Sequence, residues 1–255
     1  MWNSFNTADY EGMIAEVIRL PGHNEDTISA YYSRPLTAGP HPGIVLIPHM
    51  PGWDEWLRET ARRFTAHGYN VICPNIYERV GHGTPSEVSA RSRENGGVPD
   101  ESVMGDTQHC IDFLKREING NGKVGVIGMC SGGRHTFLAA CTCTGVDAAI
   151  NCWGGGVVPH PERPSMPGAT MVGIDMVDKL SCPMLGIFGN EDFSPTKDDV
   201  DILEAELKKY GKEYEFHRYD GAGHGIWYYD KPMYRQEAAM DSWNKAFAFF
   251  DKYLK

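Results

Sequence analysis

Lys123-Val-Gly-Val-Ile-Gly128-Met-Cys130-Ser-Gly-Gly-Arg134 is the stretch whose reading decides the fold. Residues up to Ile127 are apolar and partly β-branched, as in a strand, and Gly128-Met129-Cys130-Ser131-Gly132 then turns the chain abruptly into a helix. Small residues two before and two after the central position permit that turn, which lifts the Cys130 side chain out at the carboxyl edge of a sheet. Unpaired N–H groups and the macrodipole at the helix start stabilise a thiolate there. The competing reading is a small buried cysteine in the strand-to-helix turn of a nucleotide-binding sheet. Partners further along the chain weigh against it.

Strand and helix patterns alternate outward from this turn. Ile14 to Leu20 and Thr27 to Ser33, joined by the polar turn Pro21 to Asp26, read as an antiparallel pair. Gly43 to Pro48 is a continuous apolar run, as expected of a parallel strand buried on both faces, and Asp54 to His67 follows with helical periodicity. Strands are then expected at Asn70–Pro74, Val124–Met129, Ala148–Trp153, Pro183–Phe188 and Glu213–Tyr219. Helices are expected at Asp100–Glu117, Gly132–Cys143, Lys197–Tyr210 and Met233–Tyr253. The pattern predicts one α/β domain spanning the chain, with a mostly parallel central sheet and helices on both faces. Asn75 to Pro99 is the least regular segment and lies at a strand's carboxyl end, where long connections tend to carry function. Tyr77, Arg79, Arg91 and Arg93 within it are candidates for contacting substrate.

Composition narrows the partners. The 255 residues suffice for one large core, and a formal charge of -10 without a basic stretch argues against nucleic acid or an anionic membrane. Met1 to Tyr10 lacks the basic start and apolar core of a signal peptide, and no apolar run has bilayer-spanning length. The 7 cysteines are an odd number placed mostly in apolar segments, which fits free thiols in a reducing, cytoplasmic setting. Cys141 and Cys143 point to different sides of a helix, and the 10 histidines show no His-x-x-x-His spacing, so no metal is expected. A small molecule is the expected partner of a monomer or homodimer.

A cysteine nucleophile needs a nearby base and a third group to orient that base. His224, in Gly221-Ala-Gly-His224-Gly225 after the last strand, is poorly explained as core packing and is the candidate base. Asp192, in Gly189-Asn-Glu-Asp192-Phe-Ser-Pro195, follows the penultimate strand, in the nucleophile, acid, histidine order of hydrolase sheets. It is preferred to Glu191 because the shorter side chain caps the turn and still reaches an imidazole. The Ser131 amide at the head of the elbow helix supplies one oxyanion donor. The other comes from His49-Met50-Pro51-Gly52, where Pro51 has no N–H and Met50 is therefore the choice.

Taken together, the Gly-x-Cys-x-Gly-Gly elbow, the Gly189-x-x-Asp192-x-x-Pro195 and Gly221-Ala-Gly-His224 turns, the Cys73-Pro74-Asn-Ile-Tyr77 strand end and the Gly52 loop resemble the dienelactone hydrolase family (carboxymethylenebutenolidases). The resemblance runs from about Met13 to Leu254. It implies an α/β-hydrolase fold without a large cap, a triad of Cys130, Asp192 and His224, and hydrolysis of an ester or enol-lactone bond through a thioester acyl-enzyme. The chemistry requires no cofactor.

Two departures bear on substrate. His49 stands at about the position where the best-known enzymes of the family carry a glutamate that contacts the resting thiol. Two alternatives stay open: Cys130 pairs with His224 as thiolate and imidazolium, or His49 only orients the oxyanion hole. Ile226-Trp227-Tyr228-Tyr229 replaces the stretch in which the family places a substrate-binding arginine after the histidine. An aromatic wall there favours a less charged or larger substrate, unless Arg91 or Arg93 supplies the clamp. Trp53, Trp56, Tyr77, Trp153, Trp227 and Tyr228 are the expected aromatic lining, with core filling as the alternative for each. An acyltransferase or thioesterase would use the same triad. A non-catalytic ligand-binding relative is the alternative outside enzymes, and the complete triad argues against it.

Overall fold

The computed structural model describes residues 12–50, 52–160 and 167–255; expectations drawn on Met1–Tyr10 and Pro51 fall outside them. Strands β1 (Met13–Pro21) and β2 (Thr27–Pro35) form the antiparallel pair, with Leu20 opposite Ile28. From β3 (His41–Ile47) onward the chain alternates: α1 (Glu55–Ala66), β4 (Asn70–Pro74), α2 (Pro85–Glu94), α3 (Asp100–Arg116), β5 (Gly120–Met129), α4 (Ser131–Thr142) and β6 (Ala148–Cys152). It ends with β7 (Met184–Gly189), α5 (Lys197–Lys209), β8 (Tyr214–Tyr219) and α6 (Gln236–Leu254).

The strands make one eight-stranded sheet in the order β1-β2-β4-β3-β5-β6-β7-β8. β2 runs antiparallel to β4, and every pairing from β4 to β8 is parallel. β3 lies between β4 and β5, so the chain leaves it to one side and later returns to its other side. This reversal opens a crevice outside the carboxyl ends of β3 and β5, where open α/β sheets bind ligands.

Alternate strand residues feed two cores. Val45, Ile47, Val124 and Val126 pack on one face with Val103 and Ile111 of α3, Phe137 of α4 and Leu203 of α5. Ile44, Leu46, Ile127 and Met129 pack on the other with Trp56 and Phe64 of α1 and Trp243 and Phe250 of α6. The continuous apolar runs at β3 and β5 thus reflect burial on both sides.

The segment read as irregular contains a helix. Thr84 accepts from the Glu87 amide while the Glu87 side chain accepts from the Thr84 amide, and Pro85 occupies the first turn, so a reciprocal cap starts α2. The crossover between β6 and β7 holds a short 3-10 helix, Gly173–Lys179, that the periodicity did not reveal. Among the described residues no helix is long and apolar enough to cross a membrane.

Candidate active site

Cys130 sits between β5 and α4 with φ 55° and ψ -122°. That strained backbone region is available because the flanking residues are locked. A Cβ on Gly128 would lie 2.3 Å from the Gly132 carbonyl oxygen, and one on Gly132 would lie 2.3 Å from that of Ile47. The elbow glycines therefore exist for close approach, and that approach sets the head of α4 against the end of β3. The Gly133 and Arg134 amides donate to the Cys130 carbonyl at 3.0 and 3.2 Å. The first-turn amide of Ser131 has no intrahelical acceptor to use. The Ser131 hydroxyl is buried without a hydrogen-bond partner.

Six of the seven cysteines are buried, and Cys130 alone is partly exposed. Burial pushes the other thiols up, Cys143 to about 11 and Cys141 and Cys182 to about 12. Those sulfurs belong to the core.

The acid and histidine turns pack backbone to backbone. The Glu191 amide donates to the Ala222 carbonyl at 2.9 Å, and a Cβ on Gly189 would lie 2.3 Å from that same oxygen. Asp192, almost wholly buried, accepts from the Ser194 amide at 2.8 Å through one oxygen. Its other oxygen lies 2.9 Å from His224 Nδ1. A carboxylate only accepts, so the proton is on Nδ1 and Nε2 is left for the sulfur side. Burial alone would lower the imidazole's proton affinity; hydrogen bonds to Asp192 and Cys130 overcome it and raise His224 to about 10. His224 is thus bonded to Asp192 and lies close enough to Cys130 to interact with it electrostatically.

The remaining candidates divide. Tyr77 is buried, touches Gly52 and feels both Cys130 and Arg93 electrostatically. Arg93, exposed on α2, contacts Met50 Sδ at 3.2 Å and so stands at the rim of the crevice. The Arg91 guanidinium donates to the His82 carbonyl and ties α2 to the turn before it. Arg79 is spent on a bidentate bond to the buried Asp106 and another to Asp26. Trp53 is half-buried near the core thiol of Cys73, and its indole N–H is buried without a hydrogen-bond partner.

Trp227 is not a substrate wall. Its ring stacks on Trp243 at 3.9 Å and its N–H donates to Ser242 Oγ at 2.7 Å, because its place in the turn directs it toward α6. Trp153 is fully buried beneath the site, edge-on to Trp227 and Tyr228. Tyr228 is the member of the aromatic stretch that turns to the Cys130 side. Burial, and then the nearby sulfur, push its phenol well above the ordinary value.

His49 is buried and holds a partner at each ring nitrogen. Its Nε2 lies 2.9 Å from Asp54 Oδ2 and its Nδ1 lies 2.6 Å from Tyr228 Oη. The two departures from the family pattern are therefore a single contact. Asp54 was read only as a helix start; its other oxygen does cap α1, accepting from the Leu57 amide at 2.8 Å. Sequence reasoning also missed a buried ion pair under the elbow helix, in which Arg134 grips Asp100 through two bonds of 2.6 and 2.8 Å.

A strained side chain at a strand-to-helix elbow, an acid after β7 and a histidine after β8, all at the carboxyl edge of this sheet, define an α/β-hydrolase. The chain belongs to the dienelactone hydrolase family, whose model matches residues 28–254, and it is an ester or lactone hydrolase. A Methylorubrum extorquens protein assigned as a carboxymethylenebutenolidase is 30% identical, over 96% of this chain and 83% of its own length. The carboxymethylenebutenolidase of Pseudomonas putida is 30% identical over 60% of this chain and 70% of its own. A crystal structure from Klebsiella pneumoniae assigned as a dienelactone hydrolase superposes with a TM-score of 0.85 at 28% identity, covering 95% of this chain and all of that one.

Proposed function

We propose that the chain hydrolyses an ester or enol-lactone bond through a thioester on Cys130. The sulfur attacks the carbonyl carbon and the carbonyl electron pair moves to oxygen, where the amides of Ser131 and Met50 receive the charge. The tetrahedral intermediate collapses, the C–O bond breaks, and the imidazolium of His224 gives its proton to the departing alkoxide or enolate. Neutral His224, oriented by Asp192, then takes a proton from water as that water attacks the thioester. The second tetrahedral intermediate expels the sulfur and leaves the carboxylic acid. The observation that carries this reading is the His224 imidazole held between Asp192 at 2.9 Å and Cys130, the one thiol outside the core.

The walls near the sulfur, Tyr77 and Tyr228, are aromatic and uncharged, whereas Arg93 is a cation at the rim. The reading is therefore a neutral ester or lactone, with Arg93 reaching an anionic group only at the far end of a substrate. One chain carries every residue proposed for the chemistry, so a monomer or homodimer suffices. The unpaired cysteines support a reducing, cytoplasmic setting.

The test is turnover of p-nitrophenyl acetate, a neutral aromatic lactone and a carboxylate-bearing enol lactone by wild type, Cys130→Ala and Arg93→Ala, with intact-mass detection of an acyl adduct. The reading expects an adduct that vanishes in Cys130→Ala, a neutral lactone turned over at least as well as the charged one, and an Arg93→Ala defect confined to the latter. Equal turnover by Cys130→Ala would sink the mechanism.

A further inference from the structure

His49 uses both ring nitrogens and is 4% exposed. Asp54 only accepts, so the proton between them is on His49 Nε2; Nδ1 is then an acceptor, and the Tyr228 hydroxyl donates to it. Donors and acceptors therefore run one way, from Tyr228 through His49 to Asp54. Packing fixes the same three residues: the His49 ring stacks on Trp56 at 5.5 Å and 22°, and Trp56 meets Tyr228 edge-on at 4.6 Å.

The chain of bonds crosses three segments that converge on the crevice. Asp54 caps α1, His49 immediately precedes Met50 in the loop after β3, and Tyr228 follows His224 in the turn after β8. The Tyr228 ring also covers that turn: a Cβ on Gly225 would lie 2.4 Å from its Cδ2. The loop holding one proposed oxyanion amide and the turn holding the base are thus bonded to each other at 2.6 Å, on the Tyr228 face of the sulfur.

We propose that Tyr228, His49 and Asp54 form a positioning relay that sets the distance between the Met50 amide and the His224 imidazole. This inference rests on the mechanism proposed above. It makes His49 a positioning residue and gives the Tyr228 hydroxyl a positioning role beside its ring's place in the wall: the bonded chain matters when a tetrahedral oxyanion must be met from both sides. A displacement of about 1 Å at such a point costs on the order of 10² in rate.

Tyr228→Phe keeps the ring packing and removes only the hydroxyl; His49→Phe keeps the stack on Trp56 and removes both bonds. The two variants and their double are assayed for kcat and KM on p-nitrophenyl acetate and for the rate at which iodoacetamide alkylates Cys130. Alkylation displaces iodide without forming an oxyanion, so it ignores the hole. Expected for each single variant is a kcat lower by about 10- to 100-fold, with KM and the alkylation rate within about threefold of wild type. The double variant should be no slower than the slower single, because both break the same link. Unchanged kcat, an alkylation rate that falls together with kcat, or losses that multiply in the double variant would each overturn the relay. Wild type that stays active after complete alkylation of Cys130 would instead overturn the mechanism beneath it.

Discussion

Asp192→Asn is the perturbation that separates a working triad from a chance arrangement. His224 is raised from its ordinary 6.5 to about 10 although burial opposes the charge, so the Asp192 and Cys130 contacts together supply more than the whole difference. Asp192 leads those contacts, and a neighbouring carboxylate is typically worth about 1 to 3 pH units to a cationic partner. Replacing it by an amide of the same shape should lower the pH at which the imidazolium loses its proton by about 2, to near 8. The assay is iodoacetamide alkylation between pH 5 and 11 followed by intact mass, and the six buried cysteines leave Cys130 as the reporting thiol. Wild type should show a break near pH 10, where the imidazolium loses its proton. In the variant the break should move downward, because the folded protein now binds that proton less tightly. Turnover should fall by about 10² to 10⁴, since the amide also favours the wrong imidazole tautomer. A break at the same pH in both proteins would refute the argument, whatever happened to turnover.

Two further outcomes follow from the packing. Arg134→Met strands the buried Asp100 carboxylate and should cost about 3 to 5 kcal/mol, lowering Tm by about 6 to 20 °C. Burial by itself would raise Asp100, but Arg134, His135 and the Met171 amide hold it well below the usual carboxylate range. Its contribution to stability is therefore complete above 3.8 and lost as pH falls through the depressed value, so the stability gap between wild type and Arg134→Met should be full near neutrality and shrink as the solution is acidified. Unfolding curves recorded from pH 2 to 7 check both points. Gly132→Ala places a methyl 2.3 Å from the Ile47 carbonyl and must push the elbow off the end of β3, so kcat should drop by about 10² or more in a protein that still melts cooperatively.

What could be read in the sequence follows from how local each constraint is. The elbow, the Asp192 turn and the His224 turn are legible because each is a few residues whose small side chains permit one backbone path, and those paths meet at one sheet edge. Strands β3, β4, β6 and β7 were legible as apolar runs because burial on both faces demands it. Helix α2 was missed although Thr84-Pro85-Ser86-Glu87 is a helix-start signature, since its face is too polar to show periodicity. Trp227 and Tyr228 are neighbours in sequence with opposite fates, and only the turn geometry decides that one meets Ser242 and the other His49. The His49–Tyr228 contact spans 179 residues and carries no local signal at all. Arg91 and Arg93 stood equal as rim cations until the axis of α2 turned one toward His82 and the other toward Met50.

The stacking of Trp227 on Trp243 has a consequence for how the protein comes into being. The elbow is translated well before the turn that carries His224, and that turn takes its anchorage from α6, translated later still. A chain cut short of α6 would lack Ser242 and Trp243, and with them the partners that hold Trp227 and the His224 turn in place.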